Sequence, residues 1–333
     1  MKSKILAFLL STVVAAPLAA FAQGTPNVMK LGTATLNDSQ HEWMKRFAAM
    51  VEQDSKGRIK AEIYPLSQLG PIPRMIEQTQ FGAIQGWVGP PEFLSGVDIR
   101  YQVLSAPGLF KDLAHANRVL QDPKFNSAFL ALGADKGLKG LGLFISGPAA
   151  FVARKPLKTV ADLQGMKIRV LAAPLQMEQI RALKATPVPM PLGEVMPALQ
   201  QGTLDSVMSN IPVFQALKYY SVAKYLLATE HALLTTMTVI SKKWYDALPP
   251  DLQKLVVDSG RKVSEGIYQW SVDDIKNGYE GWTKAGGEIV RLDPKAQEAL
   301  MGQLLPLGAE VTSKRPDEKA LFAVLQDAVK RTR

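Results

Sequence analysis

Apolar and polar positions in the first third of the chain switch between the two-residue period of strands and the longer period of helices. Residues 28–35 predict a strand, and residues 58–64 alternate in the same way and predict a second one. Between them, apolar side chains recur at helical spacing up to Gly57. Residues 74–81 predict a helix and residues 83–88 a short buried strand. This order of elements predicts an α/β lobe.

The same architecture recurs further along the chain without a repeat at the residue level. Strands are predicted over residues 138–144, 166–170, 206–209, 235–241 and 288–292, an extended segment over 187–190, and helices over 175–184 and 194–201. A second α/β lobe therefore begins near residue 148. From Pro249 to about Ala285 the pattern predicts one helix, roughly 50 Å long at 1.5 Å per residue. We expect this helix to lean on both lobes, and one or two helices to end the chain.

The N-terminus has the three-part layout of a secretory signal peptide, assigned to residues 1–22. Lys2 and Lys4 precede an apolar run that ends near Ala20, and a small-x-small cleavage site follows at residues 20–22. Pro17 breaks the run, which is short for a membrane span of roughly 20 residues. Because the chain contains no cysteine, we expect neither a disulfide framework nor a lipid anchor. We expect a freely diffusing periplasmic protein.

Charge and motifs exclude several classes of protein. The formal net charge of +9 falls to +7 without Lys2 and Lys4, and basic residues are scattered, which favours a solvated surface over nucleic-acid binding. No nucleophile elbow, phosphate-binding loop or dinucleotide fingerprint occurs. The histidines, at positions 41, 115 and 231, are too far apart in sequence for a local zinc motif. We therefore predict no catalytic residue, no metal site and no cofactor.

Polar and aromatic side chains at predicted strand ends are the remaining candidates for a site. Arg169, between Ile168 and Val170, is expected to be partly buried, where its guanidinium needs a partner. That partner is either a ligand carboxylate or an acid of the protein. Trp87 lies at the end of a predicted strand, and its side chain either contacts a ligand or packs in the hydrophobic core. Asn37 and Asn210 follow strands and either bind ligand or cap helices.

Six short segments, each weak alone, occur in the order and spacing of a known family. They are Gln68-Leu-Gly70, Asp162-Leu-Gln-Gly-Met-Lys-Ile-Arg-Val170, Thr186-Pro-Val-Pro-Met-Pro191, Glu194, Ala198-Leu-Gln-x-Gly202-x-x-Asp205 and Lys242-Lys-Trp-x-x-x-Leu-Pro249. The chain thereby resembles, over nearly its whole mature length, the solute-binding proteins of TRAP transporters, the dicarboxylate-binding-protein family.

The resemblance implies a two-lobe, periplasmic-binding-protein-like α/β fold with a ligand cleft between the lobes and a long helix spanning both. It also implies hinge closure on a small organic acid and delivery to a two-component, sodium-driven membrane permease. We divide the chain into lobe I, residues 27–147 plus about 232–270, and lobe II, residues 148–231 plus about 271–333. Arg169 matches the carboxylate-binding arginine of the family.

Two departures from the family pattern bear on the ligand. Many members carry a second arginine before the turn at Lys155-Pro156, where this chain has residues 147–150 without one. The family asparagine falls on Ser209 in a gapless alignment, with Asn210 as its alternative. Both changes remove polar side chains from the expected cleft. We therefore expect a ligand that is held by one carboxylate and whose less polar remainder packs against Trp87 and Phe214.

The sequence thus predicts a ligand site without catalytic groups. Its candidate residues are Arg169, Trp87, Asn37, Asn210, Gly89, Pro174, Phe214, Ser209, Arg74 and His41. Arg74 is a second cationic candidate, and His41 is the general base in a competing hypothesis of a periplasmic enzyme acting on a carboxylic acid. A sensor component is a further alternative to uptake. We expect a monomer that binds no nucleic acid.

Overall fold

A computed structural model describes residues 26–333, and the predicted signal peptide lies outside these residues. The strands are β1 (Asn27–Gly32), β2 (Ile59–Tyr64), β3 (Gly86–Gly89), β4 (Leu138–Pro148), β5 (Ala150–Ala153), β6 (Lys167–Val170), β7 (Thr186–Pro189), β8 (Ser206–Ser209), β9 (Tyr225–Ala228), β10 (Leu233–Ser241) and β11 (Glu288–Arg291). They form a five-stranded sheet in the order β2-β1-β3-β10-β4 and a six-stranded sheet in the order β11-β9-β5-β8-β6-β7. We call the part built on the five-stranded sheet lobe I and the part built on the six-stranded sheet lobe II. The α/β, two-lobe prediction is confirmed.

Helices flank both sheets. They are α1 (Ser39–Asp54), α2 (Ile72–Phe81), α3 (Leu113–Leu120), α4 (Pro123–Leu130), α5 (Pro174–Ala182), α6 (Leu192–Gln201), α7 (Ile211–Ala216), α8 (Lys242–Asp246), α9 (Pro250–Gly266), α10 (Tyr268–Lys284), α11 (Pro294–Thr312) and α12 (Pro316–Arg331). Short 3-10 helices lie at Pro91–Leu94, Ile99–Ser105, Ala134–Lys136, Val160–Leu163 and Tyr219–Ser221. Among the described residues, no helix combines the length and the apolar character that a membrane crossing requires.

Two chain segments that cross between the sheets are hydrogen-bonded to each other. β4 and β10 pair in antiparallel fashion up to Leu233 and Pro148. Beyond that pair, the amide of Ala149 donates to Ala232 (2.9 Å), and the amide of Glu230 donates back to Ala149 (2.9 Å). This narrow two-stranded link, residues 147–149 with 229–233, joins the two sheets.

The predicted single helix from Pro249 to Ala285 is two helices. Ile267 lies between the two helices and belongs to neither, although its carbonyl accepts a hydrogen bond from the amide of Ser271 (3.0 Å). α9 packs on α1 and β4 of lobe I, whereas α10 contacts β4 of lobe I and α7 of lobe II. The helical stretch therefore leans on both lobes, as expected, with a break at the point where it leaves lobe I.

Several elements differ from the sequence prediction. The strand expected over residues 138–144 continues to Pro148, and α3, α4, β5 and β9 were not predicted. The C-terminal helix α12 packs against α3, α4 and the 3-10 helix at Ile99–Ser105, all of which the predicted division assigns to lobe I. α11 packs on α5 of lobe II. The exact division of the chain into lobes stays a proposal.

Helix α9 approaches strand β4 through small residues. A Cβ added at Gly142 would lie 2.0 Å from the hydroxyl oxygen of Ser264, which accepts from the indole of Trp43 (2.9 Å) and donates to Gly260 (2.7 Å). The serine is held by both hydrogen bonds and cannot move aside freely. Gly142 therefore sets the distance between α9 and the sheet.

We expect Gly142→Ala to lower the free energy of unfolding by about 1–3 kcal/mol, because an extra methyl group overpacks a rigid contact. Urea denaturation measures this change. Gly302→Ala is the matched control: a Cβ there meets nothing within 4 Å, and it replaces a helical glycine. The control should be neutral or slightly stabilising. Equal stabilities of the two variants would contradict the packing argument.

Candidate functional site

A narrow cavity of about 20 Å³ lies between the lobes. Lobe I contributes residues that follow or end its parallel strands β1 and β3, and lobe II contributes residues at the ends of β6 and β8. The lining residues are Ala34, Thr35, Gln40, Ile72, Trp87, Val88, Gly89, Pro90, Phe93, Ser146, Arg169, Leu171, Leu192, Ser209, Asn210, Val213 and Leu234. Ligand sites of open α/β sheets form in this way outside the carboxyl ends of strands. A space this small holds about one water molecule.

Arg169 is the charged side chain of this cavity. Its neighbours Ile168 and Val170 belong to the apolar cluster on one face of the second sheet. Because successive side chains of a strand point to opposite faces, Arg169 points to the other face of this sheet. It is 2 % exposed, and its Nε donates to the carbonyl of Met190 at 3.0 Å.

The guanidinium of Arg169 makes no ion pair with any described residue. Its carbon lies 5.8 Å from the ring centroid of Phe93, which belongs to the facing lobe. Burial lowers the pKa of Arg169 to about 10, and the nearby Tyr219 raises it only in part. The side chain therefore stays cationic at neutral pH, but it has lost most of its contact with water. A buried cation of this kind is poised to receive an anion.

Acidic side chains near the cavity are kept away from its lining. The hydroxyl of Thr35 donates to Asp38 (2.9 Å), whose pKa is raised by burial. Burial also raises the pKa of Glu92 to about 7, and Ser105 donates to that carboxyl at 2.7 Å. A raised pKa increases the neutral fraction of each group, so the two carboxyls oppose an incoming anion less than free carboxylates would.

Five of the ten predicted site residues line the cavity: Arg169, Trp87, Gly89, Ser209 and Asn210. Asn210 also makes two hydrogen bonds within the protein. Its Oδ1 accepts from the amide of Val213 (3.1 Å) and caps α7, and its Nδ2 donates to Ser146 across the lobes (2.9 Å). The capping alternative for this residue is therefore realised alongside its position in the cavity.

The other five candidates lie outside the lining. Asn37 is exposed with a left-handed φ of 55°, and its amide donates to Nδ1 of His41 (3.2 Å). Burial, and then Lys45, lowers the pKa of His41. Arg74 pairs with Glu77 at the surface (2.7 Å).

The last two of these candidates belong to helices of lobe II. Pro174 begins α5 and is half-buried. Phe214 is fully buried, with its ring centroid 5.4 Å from that of Tyr219 and 6.2 Å from that of Trp282. It therefore packs in the core of lobe II, and its neighbour Val213 faces the cavity instead.

Several lining residues were not predicted from the sequence. Thr35 precedes the predicted Asn37 on the loop after β1, Gln40 lies in the first turn of α1, and Phe93 follows the Gly-Pro-Pro turn after β3. The sequence does contain signals for these positions: the end of β1 for Thr35 and Gln40, and the Gly-Pro-Pro turn for Phe93. The contribution of Ser146 and Leu234 depends on the pairing of β4 with β10, which no local pattern reveals.

Comparison with known proteins gives one consistent result. The family model described as "Bacterial extracellular solute-binding protein, family 7" matches residues 32–315. The 2,3-diketo-L-gulonate-binding periplasmic protein YiaO of Escherichia coli is 32% identical over 267 residues, which are 80% of this chain and 81% of that protein. The ectoine/5-hydroxyectoine-binding periplasmic protein UehA of Ruegeria pomeroyi is 32% identical over 72% of each chain.

Solved structures agree in fold. A TRAP periplasmic solute-binding protein from Desulfovibrio salexigens, crystallised with bound orotic acid, superposes with a TM-score of 0.86. The two chains are 27% identical, and the match covers 92% of this chain and 99% of that one. The similarity therefore extends over both lobes and the link between them.

We expect Arg169→Met to keep or raise the free energy of unfolding of the ligand-free protein, by up to about 2 kcal/mol, because it removes a buried charge that has no ionic partner. Urea denaturation without ligand measures the effect. Arg46→Met provides the comparison, since Arg46 bonds Glu42 near the surface at 2.8 Å. A loss above about 3 kcal/mol in Arg169→Met would mean that a protein group pairs with the guanidinium.

Proposed function

The chain belongs to the bacterial extracellular solute-binding protein family 7, and from this premise we propose that it holds a small organic acid by one carboxylate on Arg169. The family and its structural relatives are periplasmic solute-binding proteins of TRAP transporters, so the chain is a transport protein and not an enzyme. We further propose that it is exported by cleavage after residue 22, acts as a monomer, and passes its ligand to the permease subunits of such a transporter.

The observation that carries this proposal is the buried guanidinium of Arg169 without an ionic partner among the described residues. A carboxylate matches the planar fork of a guanidinium and takes two parallel hydrogen bonds from it. With Nε committed to Met190, the Nη groups remain for the ligand. Exclusion of water between the closed lobes would strengthen these ionic hydrogen bonds.

The proposed mechanism is capture by hinge closure. The cavity of about 20 Å³ is too small to admit an organic acid as it stands. We propose that the lobes separate about the link of residues 147–149 with 229–233, take up the acid on Arg169, and close again. Phe93 then returns toward the guanidinium from the opposite lobe.

The lining also favours one type of acid. Within the described residues, Arg169 is the one cation that lines the cavity, and the rest of the lining is uncharged and largely apolar. Names of relatives support an acid as ligand, among them the 2,3-diketo-L-gulonate-binding protein and the protein crystallised with orotic acid. We propose a monocarboxylate with an uncharged, partly apolar remainder.

We expect Arg169→Ala to weaken binding by roughly 30-fold to more than 1000-fold, because loss of one partner of a buried charge pair costs about 2–5 kcal/mol. Arg169→Lys should also weaken binding, since a point charge does not replace the fork. A thermal-shift screen of organic acids supplies the ligand, and calorimetry gives the affinities.

Arg74→Ala is the matched control for this experiment. Its guanidinium lies at the surface against Glu77, outside the cavity, so its removal should leave the affinity unchanged. Unchanged affinity in Arg169→Ala would refute the carboxylate clamp. A loss in Arg74→Ala of the same size would show that the effect is not specific to the cavity.

We expect glutarate to bind at least about 10-fold more weakly than pentanoate, which has the same number of carbons and one carboxylate. The second carboxylate of glutarate would enter a lining with no cation to receive it, at a cost of several kcal/mol before water is readmitted. Competition calorimetry on the unmodified protein compares the two acids. Tighter binding of glutarate would contradict a single-carboxylate site.

A further inference from the structure

A second polar group of the cavity, the indole nitrogen of Trp87, has no hydrogen-bond partner among the described residues. Trp87 is 0 % exposed, and its Nε1 is buried. Leaving a buried donor unpaired costs free energy, and native structures rarely do so without reason. Trp87 lines the same cavity as Arg169, which lies on the opposite lobe.

The glycine two residues along the strand holds the indole in this position. Trp87 and Gly89 project from the same face of β3, because side chains of a strand alternate. A Cβ at Gly89 would lie 2.2 Å from Cζ2 and 2.9 Å from Cε2 of the indole, so the ring rests directly on the glycine. The indole atoms nearest to this position belong to its six-membered ring, and Gly89 also lines the cavity.

Three residues of the lining carry hydrogen-bond donors that have no partner among the described residues. The Nη groups of Arg169 and the Nε1 of Trp87 are donors without acceptor capacity. Gln40 adds a third donor, since its Oε1 already accepts from Thr33 (3.0 Å) and its amide nitrogen makes no hydrogen bond within residues 26–333. A ligand with an acceptor in addition to its carboxylate would pair those donors of the set that the carboxylate does not reach.

We propose that the ligand is a monocarboxylate carrying a second, uncharged acceptor oxygen, such as an oxo or hydroxyl group, which accepts a hydrogen bond from the indole N–H of Trp87. This inference rests on the proposed function, since it assumes that Arg169 holds the carboxylate. Trp87 is then a specificity-determining residue: it selects among acids that Arg169 alone would bind alike.

An unpaired indole nitrogen elsewhere in the fold provides a matched control. Nε1 of Trp282 is also buried without a partner, and that ring rests on Gly287, where a Cβ would lie 2.2 Å from the nitrogen. Trp282 does not line the cavity. The proposal therefore depends on the place of Trp87 in the cavity and not on the unpaired nitrogen alone.

The test compares pentanoate with 2-oxopentanoate and 4-oxopentanoate by calorimetry on the full mature protein. We expect the better of the two oxo acids to bind the unmodified protein about 5- to 30-fold more tightly than pentanoate, the gain of one buried hydrogen bond. Trp87→Phe, which keeps an aromatic ring, should reduce this ratio to about 1 while pentanoate affinity changes little. Trp282→Phe should leave the ratio unchanged.

Gly89→Ala is a second route to the same result, because the new methyl group must displace the indole. It should also lower the ratio. Equal affinities of pentanoate and both oxo acids for the unmodified protein, or an undiminished ratio in Trp87→Phe, would overturn the inference and leave the carboxylate clamp intact. Failure of all three acids to bind the unmodified protein would instead count against the clamp, and with it against this inference.

Discussion

The structure is organised around one cation held out of water, the guanidinium of Arg169 at the junction of two lobes. Its position follows from the strand in which it lies, whose two apolar neighbours are embedded in the core of lobe II and leave Arg169 on the opposite face of the sheet. Fixing such a charge without an ionic partner is unfavourable for folding. The surrounding core, and not the site itself, must therefore supply the stability that keeps it there.

This arrangement links binding to movement. The lobes contribute opposite walls of the cavity, and the crossing strands that join them are a narrow hydrogen-bonded link. An anion on Arg169 satisfies a group that closure alone leaves unsatisfied, so closure is more favourable with ligand than without it. A ligand shifts such an equilibrium only through this difference in interaction energy between the two states.

Much of the fold was predictable because its elements carry regular periods, but β5 and β9 were not. Both are apolar at every position and show no alternation, and β5 follows a Gly-Pro segment that resembles a turn. The break at Ile267 directly follows Gly266, a residue that weakens helices, but the apolar pattern continues across it and predicted one helix. The packing of α12 against α3 and α4 is a tertiary contact that local sequence does not encode.

Of the residues that line the cavity, Arg169 was easier to predict from the sequence than the residues around it. Arg169 was recognisable from its buried strand and from the family motif, whereas Phe93 becomes part of the site only when the lobes meet. Asn37 has a left-handed backbone and is exposed, whereas Thr35 and Gln40 line the cavity. Phe214 packs in the core, whereas its neighbour Val213 lines the cavity.

The most direct test of this account is a crystal structure of the protein with an organic acid found by screening. The account predicts that both oxygens of one carboxylate lie within hydrogen-bonding distance of the Arg169 guanidinium, enclosed by residues of both lobes. An acid bound elsewhere, or an Arg169 side chain turned onto an Asp or Glu of the protein, would contradict it.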